Sequence, residues 1–219
     1  MSLREAFAKS CNTAFVQLGI STGAAALRSM AHAFGLDTPP SAIPLQVAES
    51  TVGPIPDAAA LGMSSIGQKD VALTPLQNAQ IAATIANGGV VMRPYLVDGL
   101  KGPDLANIST TAPHQQRRAV SPQVAAKLTE LMVGAEQVAQ QKGAIPGVQI
   151  ASKTGTAEHG TDPRHTHLTR GISRLPRTGS QSCCRGAGGK WGRSPFCDRR
   201  RARGPIGQAV IEAALQGEP

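Results

Sequence analysis

The stretch S-S-I-G-Q-K-D-V-A-L-T-P-L-Q-N-A-Q-I-A-A-T-I-A-N-G-G, from Ser64 to Gly89, organises the reading of this chain. Thr74 can cap a helix, and Pro75 stands at the first helical position, where its missing N–H costs nothing. The run L-Q-N-A-Q-I-A-A-T-I-A-N then carries the helix to a stop at Gly88-Gly89. Upstream, Thr22 is the expected cap of a helix over A-A-A-L-R-S-M-A-H-A-F, closed by Gly35. The Pro-rich stretch from Pro39 to Pro56 reads as an irregular loop. Downstream, Ser121-Pro122 opens another helix, with Val124, Leu128, Leu131 and Ala135 at helical spacing and Gly143 as its end. An apolar, strand-like run, V-Q-I-A from Val148, changes character at Ser152.

At 219 residues the chain suits one domain with a sizeable core, or one domain and a tail. Only 3% of residues are aromatic, so the core is expected to consist of Ala, Val, Ile and Leu, with Ala-rich helices close against a sheet. The net charge of +8 is unevenly placed. Arg164 to Arg203 holds 11 Lys and Arg against the single acid Asp198, whereas the rest holds 11 bases and 13 acids. The body is close to neutral, which argues against a dedicated nucleic-acid surface on it. Three of the four cysteines, Cys183, Cys184 and Cys197, lie in the basic segment, and Cys11 stands alone in the body. That is too few for a disulfide framework. Cys11 reads as a small buried apolar residue with nothing nearby to lower its pKa. No run reaches the roughly 18 apolar residues of a membrane helix, and no basic, then apolar, secretory leader follows Met1.

A lone K-T-G carries little weight. Taken together, S-C-N at Ser10 to Asn12, the stretch Ser64 to Gly89, and K-T-G-T-A at Lys153 to Ala157 resemble, in order and rough spacing, the transpeptidase domain of class B penicillin-binding proteins. The likeness runs from about Leu3 to Glu158 and is nearest to an actinobacterial branch of that family. It implies an α+β, β-lactamase/transpeptidase-like fold: a central antiparallel sheet flanked by an Ala-rich helical subdomain, here incomplete. It also implies acyl transfer from a peptidoglycan stem peptide, with β-lactam antibiotics as competing ligands, divisome proteins as partners, and no cofactor or metal.

Such chemistry needs a serine nucleophile, a base, oxyanion donors and a grip on a terminal carboxylate. The resemblance implies that the Ser10 hydroxyl relays a proton between a lysine and the leaving amine, and that the Asn12 amide holds the substrate backbone. Lys153 would supply positive charge beside the carboxylate or the relay, and Thr154 would bind the carboxylate. Gly155 would let the ligand backbone pair with the strand, and the Thr156 N–H would be an oxyanion donor. The third family motif, S-x-x-K, is missing: no lysine in the chain has a serine three positions before it. Ser64 and Ser65 have no lysine or histidine at local helical spacing and read as turn or wall residues. His32 reads as a helix-surface residue, and Arg117-Arg118 as a solvated loop pair. The chain therefore reads as a fragment of a peptidoglycan D,D-transpeptidase, which in the intact family cross-links stem peptides through a serine acyl-enzyme; the alternative is a remnant without its nucleophile, binding stem peptide or β-lactam noncovalently at most. The family works outside the cytoplasmic membrane on an N-terminal anchor, whereas this chain, lacking one, is expected in the cytosol.

Three parts follow: a partial transpeptidase domain over 1–164, a basic Arg/Gly/Cys segment over 165–204, and a remnant of the domain's C-terminal helix over 205–219, with G-Q-A-V-I-E-A-A-L-Q at its heart. The basic segment shows almost no strand pattern between two family-like stretches, which points to a compensated reading-frame error. Gly188-Gly189-Lys190-Trp191 can be encoded GGT GGA AAA TGG, which shifted by one base reads Val-Glu-Asn, a sequence common at that place in the family. Without a proper partner strand, Lys153 is expected on an exposed sheet edge. Nonspecific phosphate binding by the basic stretch lacks aromatics for stacking, and zinc at Cys183, Cys184 and Cys197 with His165 and His167 lacks a C-x-x-C pair. No specific nucleic-acid partner is expected.

Overall fold

The computed structural model describes residues 1–40, 43–139, 149–155, 169–174 and 182–187, the last two segments as backbone strands only. The helices are α1 (Leu3–Ala8), α2 (Asn12–Thr22), α3 (Ala24–Phe34), α4 (Ala58–Ser65), α5 (Pro75–Ala86) and α6 (Pro122–Ala139). The strands are β1 (Val90–Met92), β2 (Gly99–Lys101), β3 (Asn107–Thr110), β4 (Gln115–Arg118), β5 (Ser152–Lys153), β6 (Thr169–Arg174) and β7 (Ser182–Ala187). All the pairings are antiparallel: β1 with β4, β2 with β3, and β6 between β5 and β7. The expected α+β architecture is present.

Local signals explain most helix ends. The Thr74 hydroxyl accepts from the Gln77 N–H at 3.1 Å, and Asp57 Oδ1 accepts from the Ala60 N–H at 2.7 Å. The Ser121 hydroxyl accepts from the Val124 N–H at 3.2 Å. Gly35 ends α3 at φ +97, the left-handed conformation that favours glycine. Thr22, however, is not the cap of α3. It is the last residue of α2, its hydroxyl donates to the Leu18 carbonyl at 2.8 Å, and Gly23 occupies the cap. A threonine hydroxyl inside a helix can satisfy itself on the preceding turn, so a Thr-Gly pair is ambiguous in sequence.

The core is built of small aliphatic residues, as the low aromatic content demanded. Ala60 and Leu61 of α4, Val91 of β1, Ala125, Leu131, Met132 and Ala135 of α6, and Ala151 beside β5 are buried. Helix α1 packs on α6, α2 on α4, α5 on β1, and α6 on β5. Val124 lies off the buried face, 46% exposed, with Ala125 taking the inward position instead. Arg117 and Arg118 are not a loop pair. Both belong to β4, where Arg117 Nε donates to the Ala33 carbonyl at 2.9 Å and Arg118 donates to the Gly88 carbonyl at 2.8 Å. Arg117 braces the end of α3, whose last carbonyls lack partners within the helix, and Arg118 holds the turn just past the Asn87 cap of α5.

Around Lys153 two expectations change. Of the run read as strand-like, Val148 lies outside the described residues, Gln149 to Ala151 join no ladder, and β5 itself is Ser152 and Lys153. Nor does β5 lack a partner: Ser152 stands opposite Ile172 and Lys153 opposite Gly171, and β6 pairs in turn with β7, so that β5 is the edge of a three-stranded sheet among the described residues. Backbone ladders need no apolar alternation, so T-R-G-I-S-R and S-C-C-R-G-A can pair despite their composition. The expected end of α6 at Gly143 and the helix expected over 207–216 lie outside the described residues.

Candidate active site

The corner between α1 and α2 presents the S-C-N tripeptide. Ser2 and Glu5 form a capping box that starts α1, and the chain leaves it through Lys9. Ser10 then adopts φ +53, a conformation that costs a non-glycine residue about 1–3 kcal/mol. The bend is held by the Ser10 N–H on the Phe7 carbonyl at 3.2 Å and the Cys11 N–H on the Ala6 carbonyl at 2.9 Å. It turns the Ser10 side chain to solvent and places Asn12, also exposed, in the first turn of α2.

Lys153 reaches this corner from β5, 143 residues away, and its ammonium donates to Ser10 Oγ. It also donates to the Thr154 carbonyl at 2.7 Å and lies 5.8 Å from the centre of the Phe7 ring. Phe7 is itself fixed edge-on against Phe15, ring centres 6.2 Å apart. Lys153 is half-buried, and burial pushes its pKa below the ordinary lysine value. An amine so placed gives up its proton more readily than a solvated lysine and can exchange one with the Ser10 hydroxyl. Thr154 is half-buried and Gly155 exposed, next along the same segment. Thr156 lies outside the described residues.

Two features were not read from the sequence. Glu136 of α6 is buried, and its carboxylate accepts from the hydroxyl of Ser152, which is 1% exposed and immediately precedes Lys153. The available signal was an acid continuing the Leu128, Met132 stripe of α6 by one more turn. Cys11 also departs from expectation: it is half-exposed, not buried, and it precedes α2. Its thiol is pushed down, chiefly by the hydrogen bond with Thr13 Oγ1 at 3.3 Å and by the Ala14 N–H. Ser64 and Ser65 close α4, with Ser65 Oγ donating to the Leu61 carbonyl at 2.7 Å, and His32 is exposed on α3. Among the described residues no group of His, Cys, Asp and Glu could hold a metal, and no helix is long and apolar enough to cross a membrane.

The structure thus gathers Ser10 and Asn12 of the α1–α2 corner and the half-buried Lys153 of β5 in one place. Residues 1–173 match the penicillin binding protein transpeptidase domain, so the chain belongs to that family, in its class B branch. It is 72% identical over 229 residues to the peptidoglycan D,D-transpeptidase PbpA of Mycobacterium tuberculosis, a match covering 100% of this chain and 45% of that protein. A crystal structure of penicillin-binding protein A from the same organism superposes with a TM-score of 0.85 at 70% identity, over 98% of this chain and 49% of that one. A ceftriaxone acyl-enzyme structure of penicillin-binding protein A from M. tuberculosis gives a TM-score of 0.75 at 83% identity, over 79% of this chain and 39% of that one. The chain thus spans a little under half the length of the curated relative.

Proposed function

We propose that this chain carries the substrate-binding and proton-relay half of a peptidoglycan D,D-transpeptidase site, and that the acylated serine is supplied by sequence outside these 219 residues. The observation that carries the reading is the contact between Lys153 and Ser10, which joins two family motifs 143 residues apart. Lys153, its pKa lowered by burial, shuttles a proton through the Ser10 hydroxyl to the leaving amine as the stem peptide is cleaved. Asn12 holds the substrate backbone. Thr154 binds the terminal carboxylate of the stem peptide or of a β-lactam, Gly155 leaves room for the ligand backbone, and the Thr156 N–H donates to the oxyanion. The longer protein would work at the outer face of the cytoplasmic membrane beside the division machinery.

A second reading is favoured by one fact: no S-x-x-K occurs in these residues. On its own the chain then binds stem peptides or β-lactams noncovalently. A fluorescent-penicillin gel tests both. The 219-residue chain is expected to give no covalent band, whereas the product of its gene with any in-frame upstream S-x-x-K restored is expected to label. A band on the 219-residue chain would overturn the assignment of the nucleophile to outside sequence.

The segment 165–204 is proposed to be translated out of frame. In support, the family match ends at residue 173, and identity drops from 83% to 70% as the matched share of the chain grows from 79% to 98%. Resequencing the gene decides it, since an alternative frame without V-E-N-like strand sequence leaves the idea without support.

A further inference from the structure

Away from the Ser10 corner, two hollows meet at one pair of residues. Arg93 and His114 line both, and the Arg93 N–H donates to the His114 carbonyl at 2.8 Å, which keeps the two positions adjacent. The first hollow, about 290 Å³, is polar and includes Gln77 and Arg117. The second, about 470 Å³, is walled by Ile43, Tyr95, Leu96 and Val97. Among the described residues neither is lined by an aspartate or glutamate, and neither shares a residue with the candidate active site.

The polar floor is rigid. Arg117 Nε is tied to the Ala33 carbonyl at 2.9 Å, and the buried Gln77 amide donates to the Phe34 carbonyl at 2.7 Å. Arg93, by contrast, is exposed and makes no ion pair among the described residues. Beside it Tyr95, Leu96 and Val97 remain 43%, 57% and 47% exposed. Unneutralised guanidinium forks favour carboxylate or phosphate, and contiguous exposed apolar side chains favour a nonpolar body. The volumes are of the order of small-ligand pockets.

We propose that this double hollow binds a small amphiphilic anion, its phosphate or carboxylate head between Arg93, His114 and Arg117 and its apolar body along Tyr95, Leu96 and Val97. The head loses its hydration only where cationic donors replace it, and the body leaves water in the adjoining apolar hollow. Each half of the ligand alone satisfies only half of the site. The proposal is independent of the transpeptidase reading.

Calorimetry on the 219-residue chain tests it with three probes: decyl phosphate below its micelle threshold, inorganic phosphate, and decanol. Decyl phosphate is expected to bind at least about tenfold tighter than either half-probe. Arg93→Gln is expected to weaken decyl phosphate about tenfold and leave decanol unchanged. Leu96→Ser is expected to weaken both apolar probes. Both positions are exposed, and circular dichroism checks that the variants keep the fold. Equal affinity of Arg93→Gln and the unsubstituted chain for decyl phosphate overturns the proposal, as does decyl phosphate binding no tighter than inorganic phosphate. Cosedimentation with phosphatidylglycerol vesicles, without binding of monomeric decyl phosphate, overturns it in favour of a membrane surface.

Discussion

Strand β5 has two residues, and the β2–β3 hairpin has three and four, yet the shorter strand is the better held. Ala151 and Ser152 are 2% and 1% exposed, the Ser152 hydroxyl is bonded to the buried Glu136 carboxylate, and Lys153 is delivered to Ser10. Every residue of β2 and β3 is exposed, with Leu100 at 54% and Ile108 at 68%. Burial and a satisfied buried polar contact, not ladder length, decide how firmly a strand end is placed, because a two-stranded ribbon in water is marginal.

The sharpest way to break that contrast is Ser152→Ala, which leaves the Glu136 carboxylate buried without its donor. It is expected to cost about 1–3 kcal/mol in urea unfolding and to lower amide-exchange protection around Lys153. An unchanged midpoint would show that β5 is held by its ladder alone. Next in size, Thr74→Ala removes the α5 cap and is expected to cost about 1 kcal/mol, a measure of what a purely local signal contributes.

A smaller effect follows from Lys153. Its pKa is lowered by burial, so between that lowered value and the ordinary lysine range the unfolded chain holds more protons than the folded one. The burial penalty is fully present below that window and is relieved as pH rises through it. Relative to Lys153→Met, the unsubstituted chain is therefore expected to gain stability with rising alkaline pH; parallel urea midpoints would refute it. Smallest of all, Ile108→Ser in the hairpin is expected to change stability by no more than about 0.5 kcal/mol. A larger loss would mean that the hairpin is packed against something after all.

Much of the helical frame was legible in the sequence. Thr74-Pro75 and Ser121-Pro122 mark α5 and α6, and Gly35 ends α3, because caps and left-handed stops act within a turn of the residue that carries them. The errors share a cause. Thr22 satisfies its hydroxyl within α2 on the Leu18 carbonyl, Val124 is turned off the buried face in favour of Ala125, and Arg117 is engaged by the Ala33 carbonyl 84 residues away, none of which a local pattern specifies. The pairing of β6 with β5 escaped notice since its residues lack the apolar alternation on which strand reading depends.

By itself the sequence determined the family, through three short motifs in a fixed order, and determined that S-x-x-K is absent from these residues. It also located the neutral body and the basic segment, because charge and composition need no fold to be counted. Only the tertiary structure decided that Lys153 meets Ser10, that Glu136 holds Ser152, and that Arg93 and His114 join two hollows. Those contacts join residues 16 to 143 positions apart in the chain or lie across separate loops, and their geometry arises from packing of the small-residue core, which no local propensity encodes.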